Sequence, residues 1–335
     1  MGYCVNEIAK LIGAKYEGEE GLKVNRLMPF FDAEESDLTF AADGKFLSKL
    51  EEIPAKTIIV PDMEGLPTGK NYIKVNRNPR EIMPIILNYF KKKIKPFQNQ
   101  IEESAVLGSN TIVAPSSYIG HDVEIGENCT IYPNVTIAEG VKIGKNCIIY
   151  PNVTIREFCE VGDDVIIQPG AVIGSDGFGF VKVGNNIIKL EQIGKVIIKN
   201  NVEIGANCTI DRGAIGDTII NYGTKLDNLC HIAHNDIIGE NCLIIAQVGI
   251  SGSVKVGNNV TIAGQTGIAG HLKIGDNVTI GAKSGVTNDI PAGQTVSGFP
   301  VRGHLDDLKI KVAMGKLPDM IKKLKDIEKK LEEDK

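Results

Sequence analysis

From Ile101 onward every sixth residue is aliphatic, through Leu107, Val113 and Ile119 to Ile173. A second run holds Ile198, Ile204 and Ile210, stutters, resumes at Ile220 and keeps step to Val286. A helix would space its buried face by 3.6 residues and a strand by two, so a period of six fits neither. It fits a chain that lays down a short strand, turns a corner and repeats, burying one aliphatic side chain each time. Internal repeats take precedence over local propensity in deciding a fold. The prediction is a mainly β protein whose residues from about 101 to 291 form a coiled parallel β-helix. Three repeats close one triangular turn, so residues 18 apart stack, with turns rising by about 4.8 Å.

The residue two before each aliphatic must also face inward, since side chains alternate along a strand. Val123, Cys129, Val135, Val141, Cys147 and Val153 occupy that slot, and six of the seven cysteines fall in it. They read as small buried hydrophobes. No CxxC spacing suggests a metal, and none is expected. Glycine often follows the aliphatic directly, as at Gly126, Gly144, Gly162, Gly239 and Gly257. There it is expected to relieve a strained corner angle. A net charge of -5 argues against nucleic acid as a partner. No apolar run is long enough to span a bilayer, and the first ten residues do not read as a signal peptide. The expected setting is cytoplasmic, without stable membrane insertion.

The flanks lack the repeat. Residues 1–98 read as a small α/β domain, with a helix from Val5, strands at Thr57–Val60 and Tyr72–Val75, and a second helix opened by Asn78 and Pro79. The repeat domain is placed at 99–299, and residues 174–194, rich in glycine, should leave it as a protruding hairpin. Residues 300–335 form a helical extension whose apolar stripe (Leu305, Leu308, Val312, then Ile321 and Leu324) suggests oligomer packing.

Stacking by 18 turns the sequence into a map of where chemistry can sit. One column reads His231, Gly249, Gly267, Gly285, and another Ala246, Gly264, Ala282. Gly252 and Gly270 follow His234 by one and two coils, and His271 lies 37 residues beyond His234, along the same edge. A smooth glycine strip beside a histidine suits a long flexible chain such as a pantetheine arm or acyl tail. Asp227 and Asn228 lie one repeat before His234, and a carboxylate near an imidazole can fix its tautomer and raise its basicity. On spacing alone, His234 reads equally well as a surface residue or as a general base.

Several segments together carry a resemblance. They are Ser175-Asp-Gly-Phe-Gly-Phe180, Cys208 to Thr218, Lys225 to Asn235, Gly249-Ile-Ser-Gly-Ser253 and Gly264 to His271. In these the chain closely resembles the UDP-3-O-acylglucosamine N-acyltransferases, and the likeness runs over nearly its whole length. The resemblance implies a left-handed β-helix assembled as a homotrimer, with active sites between subunits. It implies a 3-hydroxyacyl chain delivered as a thioester on acyl carrier protein, whose 4'-phosphopantetheine arrives with it, so that no resident cofactor is needed. The acceptor it implies is the 2-amino group of UDP-3-O-acylglucosamine, in lipid A synthesis. By carry-over His234 is the base, Asp227 its orienter and the Gly252 N–H the oxyanion donor. Asn228 would contact pantetheine or substrate, and His271 would lie near the UDP phosphates. Phe40 and Phe46 would grip uracil, with Asp43 where the family commonly has Asn. Other hexapeptide acyl- or acetyltransferases and a non-catalytic β-helix scaffold remain as alternatives. A metal-dependent hydratase would need three converging histidines.

Overall fold

The structure, a computed structural model, describes residues 2–298 and 304–333. The expected boundary between residues 299 and 300 lies outside them. Three parallel sheets of nine, ten and nine short strands wrap a left-handed β-helix. The register is the one the repeat dictates: Ile125 aligns with Ile143, Ile131 with Ile149 and Ile137 with Ile155. One continuous core runs from Ile119 to Ile290 and contains six buried cysteines, all free thiols. Burying each isoleucine contributes on the order of 2 kcal/mol, and the ladder repeats that gain coil after coil.

The corners work differently from the sequence-based expectation. The left-handed backbone angles fall not on the glycine directly after the aliphatic but three residues after it, most often on asparagine, as at Asn128 (φ 57°), Asn146 (φ 57°) and Asn241 (φ 53°), and on Gly140, Gly170 and Gly223. Asparagine tolerates that region because its short side chain bonds locally. Asn110, Asn128 and Asn146 also hand a side-chain hydrogen bond from coil to coil. Gly126 and Gly239 are required for a separate reason. A Cβ on Gly126 would sit 2.6 Å from the Gly144 carbonyl carbon, and one on Gly239 would sit 2.1 Å from the Gly257 oxygen. Close approach of stacked backbones selects glycine here, not strain.

Two insertions break the coil. Ile167 pairs with Ile204 across the segment that carries an antiparallel hairpin, Phe180–Val183 against Asn186–Lys189, as expected. Ile198 pairs with Ile220, 22 residues on, so the stutter holds four extra residues. These lie in a loop that binds the hairpin's return through Ile193 N–H to Ala214 O and Gly194 N–H to Gly213 O. Leu190, Ile193 and Ile215 then pack on the core of the N-terminal domain, and Lys91 pairs with Glu191 at 2.7 Å. Both irregularities therefore seat the first domain on the coil.

That domain is a four-stranded sheet (Lys15–Glu17, Asn71–Val75, Thr57–Pro61, Leu38–Phe40), with the helices Val5–Leu11 and Pro79–Phe90 on one face. Asn78 caps the second helix by accepting from Arg80 N–H at 2.9 Å. The chain ends in one helix, His304–Glu333, that continues through Pro318 rather than dividing there. Proline forfeits a backbone hydrogen bond, but the lysines, leucines and methionines around it, Met314, Lys316, Leu317, Met320, Lys322 and Leu324, are good helix formers. Leu305, Val312, Ile321 and Leu324 of this helix are all exposed in the single chain. Among the described residues no helix is long and apolar enough to cross a membrane.

Candidate active site

His234 lies at a corner of the β-helix, two residues past the buried Ile232, and is half-buried. Two glycines shape the slot for its ring. A Cβ on Gly252, one coil on, would fall 2.5 Å from Cε1 and 2.6 Å from Nε2 of His234. A Cβ on Gly177, at the base of the hairpin, would fall 2.6 Å from the His234 Cβ and 3.0 Å from its Cδ2. The imidazole is thus clamped between positions that can hold no side chain.

The hydrogen bonds define its tautomer. Asn235 donates from Nδ2 to the Ile215 carbonyl at 2.7 Å, which turns its Oδ1 toward His234 Nδ1 at 3.3 Å. Nδ1 therefore carries the proton and Nε2 presents a lone pair, the form a general base needs. Ile215 belongs to the four-residue insertion, so the stutter also reaches the site. Asn235 has no chemical signature in the sequence and was not singled out.

Beside that ring is an unused donor. At the second residue after each inward aliphatic the N–H is commonly capped by a side chain: Glu240 N–H by Asn258, Asn258 N–H by Asp276, Ala246 N–H by Asp227. Gly252 occupies the same position, and among the described residues its N–H has no partner. A free backbone donor next to a neutral imidazole can stabilise an oxyanion while the base takes a proton.

Asp227 does not reach His234 within the chain. Its oxygens accept from Asn228 N–H at 2.7 Å and Ala246 N–H at 3.1 Å, and Asn228 in turn caps Ala206 N–H at 2.8 Å. Seven residues carry the chain from one face of the triangle to the next, so Asp227 and His234 follow strands in different sheets. Within the chain Asp211 is a carboxylate that interacts electrostatically with His234. Burial pushes its pKa upward, opposed by a hydrogen bond from the Ser175 hydroxyl and by His231 and His234. His231 Nε2 stands 3.8 Å from Asp211, and its Nδ1 meets the Thr209 hydroxyl at 2.8 Å. Asp211 was hidden because the insertion makes this stack 22 residues deep instead of 18, pairing Ile210 with Ile232.

His271 lies on the expected edge, exposed, one residue out of step with His234. It stacks with Asn235 and Ser253, all three in left-handed backbone, and its N–H donates to Gly252 O at 3.1 Å. The column His231, Gly249, Gly267, Gly285 is in register, and a Cβ on any of its glycines would meet nothing within 4 Å. That strip is open and smooth.

In the N-terminal domain Phe40 and Phe46 are partly buried on opposite faces of the sheet. Phe46 joins an aromatic cluster with Phe30 at 5.2 Å and Phe31 at 5.8 Å. Asp43 is exposed and pairs with Arg80 at 3.0 Å, so its charge is locally answered. Among the described residues no group of three or more His, Cys, Asp or Glu converges as a metal site would.

Residues 104–139, 140–175 and 253–288 match the family model described as bacterial transferase hexapeptide (six repeats). Residues 237–264 match that of the hexapeptide repeat of succinyl-transferase. With the clamped histidine and free N–H at its corner, the coil is that of a hexapeptide-repeat acyltransferase. An Arabidopsis UDP-N-acetylglucosamine acyltransferase of known structure is similar, with a TM-score of 0.55 and 26% identity over 63% of this chain and 74% of that one. The UDP-3-O-acylglucosamine N-acyltransferase of Fusobacterium nucleatum is 64% identical over 98% of this chain and 100% of its own. That of Syntrophotalea carbinolica is 52% identical over 98% and 97%. The chain belongs to the UDP-3-O-acylglucosamine N-acyltransferase family.

Proposed function

We propose that the chain transfers a 3-hydroxyacyl group from an acyl carrier protein thioester to the 2-amino group of UDP-3-O-acylglucosamine, a step of lipid A synthesis. The observation that carries the reading is the pairing at one corner of a tautomer-fixed imidazole with the free Gly252 N–H. The amine nitrogen attacks the thioester carbonyl as His234 Nε2 takes its proton. The oxyanion gathers at the Gly252 N–H, where such a donor contributes about 3 kcal/mol in the transition state. Collapse forms the amide bond and expels the pantetheine thiolate, which recovers the proton from His234. A thiolate leaves readily, so the step calls for no metal. Asn235 sets the tautomer and Asp211 favours the imidazolium that forms. Asp227 and Asn228 anchor the neighbouring corners.

The pantetheine arm and acyl chain follow the open strip of Gly249, Gly267 and Gly285, with Asn228 and His271 along its course, His271 toward the UDP phosphates. Uracil binds at the N-terminal domain beside Phe46 and Asp43; Phe40, on the opposite face of the sheet, does not sandwich the base with Phe46. The homotrimer is favoured by exposed apolar side chains on the coil, among them Tyr222, Leu243 and Ile245, and by the exposed stripe of the terminal helix. Turnover of UDP-3-O-acylglucosamine against a ladder of acyl carrier thioesters tests the assignment. Amide product at one or more chain lengths supports it, and none across the ladder refutes it.

A further inference from the structure

From Ala105 to Ser284 the inward slot two residues before each aliphatic is filled by valine, cysteine, alanine, leucine, threonine or serine, except at Asp236. Its side chain is fully buried two residues from His234, and its Oδ2 has no hydrogen-bond partner. A buried ionised carboxylate with an orphan oxygen would be costly. Three other polar occupants of this slot, Thr111, Ser117 and Thr224, show one way in which the position is satisfied.

Thr111 donates to Gly126 O at 2.7 Å and accepts from Cys129 N–H at 3.1 Å. Ser117 donates to Tyr132 O at 2.7 Å and accepts from Val135 N–H at 3.3 Å. Thr224 donates to Gly239 O at 2.8 Å and accepts from Cys242 N–H at 3.0 Å. In all three the donor bond goes 15 residues on and the acceptor bond 18 residues on. Asp236 already makes the second bond, accepting from Val254 N–H at 2.8 Å. Fifteen residues on from Asp236 is Ser251, and among the described residues no backbone N–H donates to its carbonyl. An ionised carboxylate has no proton for that bond, whereas a carboxylic acid does.

We infer that Asp236 is held as a neutral carboxylic acid whose Oδ2–H donates to the Ser251 carbonyl, and that it is a positioning residue for acyl transfer. The Ser251 carbonyl and the Gly252 N–H are the two ends of one peptide group. A hydrogen bond to the carbonyl polarises that peptide and strengthens its N–H as a donor. It also pins the plane of the peptide at the point where the oxyanion forms. The inference rests on the reading of Gly252 N–H as the oxyanion donor. Burial drives the Asp236 pKa up to about 8, and the charge of Asp211 on the preceding coil adds to it. The bond from Val254 N–H opposes the shift without overcoming it.

An acid whose folded pKa lies above its unfolded value adds most to stability below the unfolded value. That contribution is lost as pH rises from about 4 toward about 8. Asp236→Asn supplies the same donor and acceptor without a titrating proton. Asp236→Val removes both, and valine already fills the adjacent slots Val248 and Val254.

The test uses the full chain and its Asn and Val variants, with melting temperature followed from pH 5 to 8.5 and steady-state acyl transfer measured in parallel. The wild type should lose melting temperature relative to Asp236→Asn as pH rises. Parallel curves overturn the neutral acid. Asp236→Val should lose about tenfold in kcat with KM little changed, while Asp236→Asn stays within about threefold of wild type. A folded Val variant with wild-type kcat overturns the positioning role. Wild-type protein that makes no amide product would sink the acyl-transfer reading instead, and the melting curves would still decide the state of the carboxyl.

Discussion

Replacing Gly252 with alanine tests the clamp on the His234 imidazole with a single methyl group. The glycine is not held in left-handed backbone, so alanine incurs no conformational penalty there. The effect is steric and local. The new Cβ would stand 2.5 Å from Cε1, 2.6 Å from Nε2 and 2.9 Å from Nδ1 of His234. Ordinary carbon contacts lie near 3.5–4 Å, so the ring must retreat by about 1 Å or swing away. Retreat is blocked because Gly177 already lies against the Cβ, Cγ and Cδ2 of the same side chain. A misplacement of about 1 Å at a reacting group costs on the order of 100-fold in rate. Gly252→Ala should therefore lower kcat by about 100-fold with a much smaller change in KM, because substrate contacts elsewhere are untouched. Its melting temperature should stay close to wild type, since the methyl points toward a half-buried ring and not into the core. The assay is steady-state amide formation, accompanied by thermal melting. A folded Gly252→Ala variant with wild-type kcat would refute the clamp and with it the assignment of the slot.

Two further sets of substitutions probe the acidic residues and the nucleotide end. Asp227→Ala should cost about 1 kcal/mol of stability from two lost N–H caps, whereas Asp211→Asn should lower kcat by about tenfold with little loss of stability, read by melting and kinetics side by side. Equal kinetic losses in both would return Asp227 to the role the sequence suggested. Arg80→Ala leaves Asp43 unanswered and should raise KM for the UDP-sugar several-fold; adding Asp43→Asn should bring it back, and an unchanged KM in the single variant would remove Asp43 from the phosphate path.

The coil was legible because its rule is simple. A residue every six positions must face inward, and Ile125, Ile143 and their successors do so without exception through the core. The glycine strip of Gly249, Gly267 and Gly285 followed from the same arithmetic, because a stack of 18 is fixed by backbone hydrogen bonding. What escaped was what depends on the second insertion, between Ile198 and Ile220. The extra residues near Ile215 shift the stacking interval to 22, so Asp211 and His231 came together unannounced. Asn235 was invisible for a related reason: its partner, the Ile215 carbonyl, is a backbone atom of that insertion. The Gly126 and Gly239 positions were legible as corners, but for the wrong reason. Stacked backbones approach too closely there for a side chain, while the left-handed angles fall two residues further on, most often on asparagine.

Acyl transfer at the His234–Gly252 corner should make an amide and not an ester. Product analysis by mass spectrometry before and after mild base decides this, for the wild type and for His234→Ala, both first shown to be folded. The wild-type product should carry one added 3-hydroxyacyl chain that survives base, and His234→Ala should show no detectable transfer. A base-labile product, or unchanged transfer by the variant, would overturn the assignment.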